Sequence, residues 1–182
     1  MNTDFVYGRE GGMLNKAYVP NRGQGVGSNS GVTVGAGVDL NQWTLATIQS
    51  WPNIDSDTIS KISPYVSGNN LVGSAAQAAL DANGGLSLDA NNQAQYLTDG
   101  AYSETYNQLA SAYNSATTFS TFQQLPAGVQ TAIFDTALNS GLGKLQSWDL
   151  WSQITSGDWQ AAYNNLSTWS GGGAAADDRR QA

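Results

Sequence analysis

Glu10-Gly-Gly-Met-Leu-Asn-Lys-Ala-Tyr18-Val-Pro20, then a glycine-dense segment, then Gly31-Val-Thr33-Val-Gly-Ala-Gly-Val-Asp39-Leu40: the rest of the chain is organised around this run. It holds one of only two glutamates in the 182 residues. Gly23, Gly25 and Gly27, spaced by polar or small residues, favour turns over helix. Ala17–Pro20 and Gly31–Gly35 are expected as short strands of an irregular hairpin. In Val32-Thr33-Val34 the valines share one face and Thr33 takes the other.

Outward from this run the pattern turns helical. Residues 3–9 predict a short helix that Thr3 or Asp4 can cap and Gly11–Gly12 ends. That leaves Glu10 at a helix C-terminal edge, where the backbone dipole disfavours a carboxylate and favours the protonated acid. Helices are expected over 43–51, from Asp55–Asp57 to before Pro64, and over 74–83. The longest spans 87–115, with Leu97, Ala101, Thr105, Leu109 and Tyr113 at four-residue steps; Gly100 within it costs up to about 1 kcal/mol and leaves room for a kink. Residues 126–139 predict a helix with Val129, Ala132, Ile133 and Ala137 on one face. Residues 148–155 and 158–169 form a pair around Gly157, the second carrying Trp159, Ala162, Tyr163 and Leu166. A last helix holds Arg179 and Arg180. Strand-like sequence confined to one end and helices elsewhere imply an α+β fold: a small N-terminal lobe, a larger helical lobe and a long helix connecting them.

Composition narrows the chemistry. There is no Cys, hence no disulfide or thiolate, and no His, which removes the commonest general base and metal ligand. Acid–base work near neutral pH falls to carboxylates, or less readily to Tyr or Lys. A net charge of −7 with only seven Lys plus Arg argues against nucleic acid as a partner. The same charge opposes attraction to an anionic cell wall. No apolar run reaches membrane-spanning length, so no membrane insertion is expected. The first ten residues have neither the basic nor the apolar region of a secretion signal.

A glutamic acid and an aspartate across a polar cleft suit hydrolysis of a glycoside, one protonating the leaving oxygen and the other assisting water or attacking directly. Glu10 and Asp39 fit those roles if the hairpin folds back over the first helix, with the Thr33 hydroxyl holding the water. A plainer reading stands beside this one. A glutamate at a helix end is usually just solvated, and an aspartate after a glycine-rich run is often no more than a turn residue or, as Asp39 is placed before 43–51, the N-cap of the next helix. Among the aromatics, Trp43, Trp51 and Tyr65 are candidates for the cleft, but Tyr18, inside the hairpin, is the one expected to touch a sugar. Glu104 is expected as a solvated helix residue. The Gly35-Ala-Gly37 run lacks the further glycine or Gly-Lys-Ser/Thr of a nucleotide loop.

Glu10-Gly-Gly, Tyr18-Val-Pro and Gly31-Val-Thr-Val-Gly-Ala-Gly-Val-Asp39-Leu together resemble the active-site segment of the pesticin-like and phage-lysozyme-like muramidases. The order glutamate, threonine, then aspartate six residues later is that of the pesticin branch. Phe134-Asp-Thr-Ala-Leu-Asn139-Ser-Gly141-Leu-Gly143 is similar to a helix end of the family. Gly157-Asp-Trp-Gln-Ala-Ala162, continuing to Trp169, Gly171 and Arg179-Arg180, is similar to its tail. Residues 43–86 are the least diagnostic. The chain departs from the family in being acidic and in stopping at Gln181-Ala182, where a Glu and more helix usually follow.

The resemblance implies a lysozyme-like catalytic domain over 1–182, with a small lobe at about 12–86 and a helical lobe of about 87–182 with 1–11. It implies an N-acetylmuramidase that cuts the β-1,4 bond of peptidoglycan with inversion. Glu10 would be the acid, Asp39 the carboxylate assisting water and Thr33 the residue orienting that water. Tyr18 and Asn139 are the substrate-binding candidates; for Asn139 a hydrogen bond ending its helix is the plainer role. No metal and no organic cofactor are expected. The partners implied are peptidoglycan strands, with a delivery partner or an immunity protein, for a monomer acting in the periplasm or wall after delivery by a phage holin, a secretion system or a fused translocating domain. Two alternatives stay open: a lytic transglycosylase, and a non-catalytic peptidoglycan-binding or structural domain.

Overall fold

The computed structural model describes residues 1–9, 12–20 and 30–168. Glu10, the glycines from Gly23 to Gly27, Trp169, Arg179 and Arg180 lie outside the described residues, and with them the expected turn run and last helix. The fold is α+β, a three-stranded antiparallel sheet and mostly helix, arranged as two compact units: Thr3–Glu104, and Met1–Asn2 with the described residues from Thr105 onward.

The first unit begins with α1 (Thr3–Arg9) and continues with β1 (Leu14–Tyr18), β2 (Thr33–Gly35) and β3 (Val38–Asp39), in sheet order β1-β2-β3. The strands differ from expectation in their limits: the first starts three residues earlier, the second is shorter, and a third, unforeseen, carries Asp39. The chain reverses through Gly35-Ala36-Gly37, with φ of +67° at Gly35 and +77° at Gly37. Two glycines there serve a tight turn, since side chains rarely adopt that region. The turn is held by the long helix α5 (Gln93–Ala116): Ala36 donates its N–H to Thr98 Oγ1 at 3.2 Å, and Tyr102 donates its hydroxyl to the Ala36 carbonyl at 2.9 Å.

The helix expected from Ser87 starts instead at Gln93, because Leu86–Leu88 are taken by the sheet edge. Ala17 donates to the Leu86 carbonyl and Leu88 to the Asn15 carbonyl, both at 2.9 Å. Four-residue spacing could not see this, since backbone groups at a strand edge recruit whatever segment passes. Helix α5 runs unbroken through Gly100. A Cβ there would lie 2.5 Å from the Trp51 ring, so the glycine admits an indole against the helix.

Short helices α2 (Leu45–Gln49), capped by Thr44, α3 (Ser56–Ile62), capped by Asp55, and α4 (Gly73–Ala82) complete this unit. Its core joins Val32, Val34, Leu40, Ile48, Ile62, Leu88 and Leu97. Each such apolar side chain contributes about 1.5–3 kcal/mol on burial. Trp51 and Tyr65 belong to this core, buried at 7% and 2% exposure, which corrects their candidacy for a cleft. Trp43 packs edge-on against Trp51, ring centroids 5.1 Å apart.

The second unit packs the end of α5 with α6 (Ala127–Ser140), α7 (Leu142–Gln146), α8 (Asp149–Ser156) and α9 (Trp159–Thr168). Leu109, Tyr113, Phe122, Phe134 and Leu145 are fully buried, and Tyr113 donates its hydroxyl to the Ile154 carbonyl at 2.9 Å. Two face assignments need correction. On α6, Ala132 is exposed while Gln130, Thr131, Phe134 and Asp135 are buried. On α9, Tyr163 is 68% exposed and not part of an apolar stripe. Both errors arise because apolar spacing marks several candidate faces and the neighbouring helices choose among them. The short helix α7 was not foreseen.

Candidate active site

The candidate site is built on the sheet. In the β2–β3 register Thr33 lies opposite Asp39, and in the β1–β2 register Tyr18 lies opposite Thr33. Directly opposed residues project from the same face of an antiparallel sheet, with Cβ atoms about 4.5–5.5 Å apart. Tyr18, Thr33 and Asp39 therefore form one row across the three strands. The pairing shifts between Leu14 and Tyr18, where four steps along β1 are matched by two along β2.

Gly31 ties the row together. Its N–H donates to Asp39 Oδ2 at 3.0 Å, and its carbonyl accepts a long bond from Thr33 Oγ1 at 3.4 Å. The other carboxylate oxygen, Asp39 Oδ1, accepts the N–H of Asn41 at 3.0 Å and so caps the one-turn helix Leu40–Gln42. Asp39 is thus an N-cap, as the plainer reading had it, though of this turn and not of α2. Capping uses one lone pair of Oδ1, which leaves a carboxylate able to accept further bonds.

Both backbone donors and the side chain of Gln42 favour the ionised carboxyl, but burial outweighs them and holds Asp39 above its ordinary value of 3.8. Thr33 is buried, at 3% exposure, on the face opposite two fully buried valines, so the strand is enclosed on both sides. Tyr18 is half-buried.

Two residues that sequence reasoning did not single out complete the arrangement. A Cβ at Gly31 would lie 2.5 Å from the Asn41 Cβ and 2.6 Å from Asp39 Oδ1, so any larger residue would displace the carboxylate. Asn41 presents a buried Oδ1 with no hydrogen-bond partner among the described residues. Gly31 stands in the string that ends at Asp39, but nothing in the string shows a close approach.

The structure brings Tyr18, Thr33 and Asp39 together. Glu10 lies outside the described residues, between α1 and Gly12, whose N–H donates to the Tyr7 carbonyl at 3.0 Å. Tyr7 is anchored in turn: its hydroxyl donates to Asp99 at 2.7 Å and its ring lies 5.2 Å from that of Tyr102. Asn139 belongs to the second unit. Its Nδ2 donates to the Asp135 carbonyl at 2.8 Å and to Asp135 Oδ1 at 3.3 Å, one turn back on α6. Among the described residues no three acidic side chains gather as a metal site would need, and no described helix is long and apolar enough to cross a membrane.

Comparison with protein families matches residues 1–160 to the model of Pesticin, described as a bacterial toxin homologue of phage lysozyme, C-term. Comparison with curated proteins finds no match.

Proposed function

The chain belongs to the pesticin family of bacterial toxin homologues of phage lysozyme, and we propose that it is an N-acetylmuramidase cutting the β-1,4 bond between N-acetylmuramic acid and N-acetylglucosamine. At the coarser level, a lysozyme-type peptidoglycan hydrolase, the family carries the reading. At the finer level it rests on one observation: Thr33 and Asp39, six residues apart, are opposed across β2 and β3 and share Gly31 as a hydrogen-bond partner.

The chemistry is a single displacement. Glu10, as the acid, gives its proton to the glycosidic oxygen as the bond from the anomeric carbon breaks. A water held by Thr33 attacks that carbon from the opposite side and passes its proton to Asp39. The anomeric configuration inverts, and the two carboxyl groups are expected about 6.5–9.5 Å apart to leave room for the water. Tyr18, the third member of the row, offers an aromatic surface beside Thr33. No metal or organic cofactor enters these steps. On the same reading another component delivers the protein to the periplasm or wall, in keeping with the family's description as a toxin homologue, and it acts there as a monomer.

The test is digestion of purified cell walls by Glu10→Gln and Asp39→Asn variants, with the products weighed. Loss of clearing in both, and reducing ends in the wild-type digest, is the expected result. Full clearing by either variant removes that residue from the mechanism. Products ending in 1,6-anhydromuramic acid mean a lytic transglycosylase, in which no water attacks and Asp39 has no such role.

A further inference from the structure

Ala36 stands three residues from Thr33 and three from Asp39, at the tip of the reversal that sets them opposite each other. It is fully buried and lies beyond the paired residues of β2 and β3. Buried backbone groups outside a sheet ladder need partners from elsewhere. Here both come from α5: Thr98 Oγ1 accepts the N–H at 3.2 Å, and the Tyr102 hydroxyl donates to the carbonyl at 2.9 Å. Residues four apart on a helix share a face, so one face of α5 grips the tip at two points.

The same face holds the chain that leads to Glu10. Tyr7 donates its hydroxyl to Asp99 Oδ1 at 2.7 Å. Gln95 Nε2 donates to that Asp99 oxygen at 2.8 Å and to the Tyr7 hydroxyl at 3.3 Å, closing a triangle. The Tyr7 ring lies against that of Tyr102, centroids 5.2 Å apart and planes tilted by 47°. Tyr7 is three residues before Glu10, and its carbonyl accepts the N–H of Gly12, two residues after Glu10. Tyr7, Gly12, Ala36, Thr98 and Tyr102 all belong to the first unit.

We propose that Tyr102 is a positioning residue for the hydrolysis: one side chain fixes both the turn that aims Thr33 and Asp39 and the residues that flank Glu10. Its effect on the rate rests on the muramidase reading, whereas the coupling itself does not. A tyrosine that served packing alone would use only its ring, and phenylalanine would fill the same space. The Tyr102 hydroxyl instead completes a backbone group of the turn, while the ring carries Tyr7. Groups on two separate segments keep their spacing when both segments rest on one rigid element. Tyr102 is 3% exposed, so close packing leaves its ring no room to follow one segment away from the other.

The test is kinetics on soluble peptidoglycan fragments with full-length protein, at a temperature where circular dichroism shows each variant folded. Tyr102→Phe keeps the ring and deletes the bond to Ala36. It should lose about tenfold in kcat with KM changed less than about twofold, since misplaced reacting groups cost rate more than affinity. Tyr102→Leu and Tyr7→Leu should each lose at least as much. Their double variant should lose less than the product of the two losses, because both changes break one shared contact. Wild-type kcat with a lowered Tm in Tyr102→Phe would mark a tyrosine that only packs and would overturn the proposal. A loss carried by KM alone, or a double variant at the full product, overturns it as well.

Amide hydrogen exchange reads the coupling without turnover. In Tyr102→Leu the N–H groups of Gly31 and Asn41, both bonded to Asp39, and of Gly12, bonded to Tyr7, should exchange about tenfold faster together, with Ile59 of α3 unchanged. Acceleration on one side only, or equally at Ile59, overturns the coupling. Wild-type protein that releases no reducing ends defeats the muramidase reading and with it the effect on rate, and exchange then decides the coupling by itself.

Discussion

Thr33 and Asp39 face each other across β2 and β3, and both hydrogen-bond Gly31, one through its carbonyl and the other through its N–H. The hydroxyl and the carboxylate are therefore aimed by one backbone unit, and movement of Gly31 moves both. A site placed on paired strands holds its geometry better than one on a loop.

Gly31→Ala follows from this. The added methyl would lie 2.5 Å from the Asn41 Cβ and 2.6 Å from Asp39 Oδ1, so the carboxylate must swing away or the strand must shift. Overpacking of this kind costs about 1–3 kcal/mol. Clearing of cell walls should fall at least about tenfold at temperatures where the variant remains folded, since misplacement of about 1 Å costs up to about a hundredfold. Circular dichroism melting alongside the assay separates the two effects, and wild-type activity would mean Asp39 need not hold this position.

Thr33→Val keeps the shape and removes the hydroxyl. Because the bond to Gly31 is long at 3.4 Å, stability should change by less than about 1 kcal/mol. Activity should drop by about ten- to a hundredfold, through kcat more than KM, if the hydroxyl orients water. Thr33→Ser should retain most of the rate while losing about 1 kcal/mol to the missing methyl. Equal activity of the Val and Ser variants would exclude a role for the hydroxyl.

The rate should depend on pH through Asp39. Burial raises its folded pKa, and the assisting group must be ionised, so the acid limb of kcat/KM should rise with a midpoint above 3.8. Stability runs the other way. A carboxyl whose folded pKa is raised contributes most below its unfolded value, and that contribution is lost as pH rises through the folded pKa. Thermal melts of wild type and Asp39→Asn across this window check the sign, and an acid limb at or below 3.8 would contradict it.

Gly100→Ala should unfold the first unit at lower temperature without touching the chemistry. The new Cβ would meet the Trp51 ring at 2.5 Å, and the buried indole has little room to retreat. Elsewhere in a helix the same change stabilises by up to about 1 kcal/mol, so the sign of the Tm shift decides between helix propensity and packing.

Glu104→Gln serves as the control. Glu104 is half-buried on α5 and has no part in the proposed chemistry, so wall clearing should be unchanged. A loss comparable to that of Glu10→Gln would move the acid's role to the wrong glutamate and undo the assignment.

Local pattern reached far in this chain. Helical spacing located α1, α3, α4 and α6 to within a residue or two, because caps, prolines and apolar steps are read within a few residues of where they act. The absence of His and Cys, and the order Glu10, Thr33, Asp39, pointed to carboxylate chemistry before any fold was known. Contacts between distant segments were beyond such reading. The capture of Leu86–Leu88 by β1, the Trp51 ring against Gly100 and the burial of Tyr65 join residues many positions apart, and no spacing encodes them. The row Tyr18, Thr33, Asp39 belongs to the same class. Its members stand together because a register shift in β1 and a reversal at Gly35–Gly37 set two registers at once, and a slip of one residue in either would turn a member to the other face. Residue types and order are properties of the chain, whereas register is settled by which face the buried valines require.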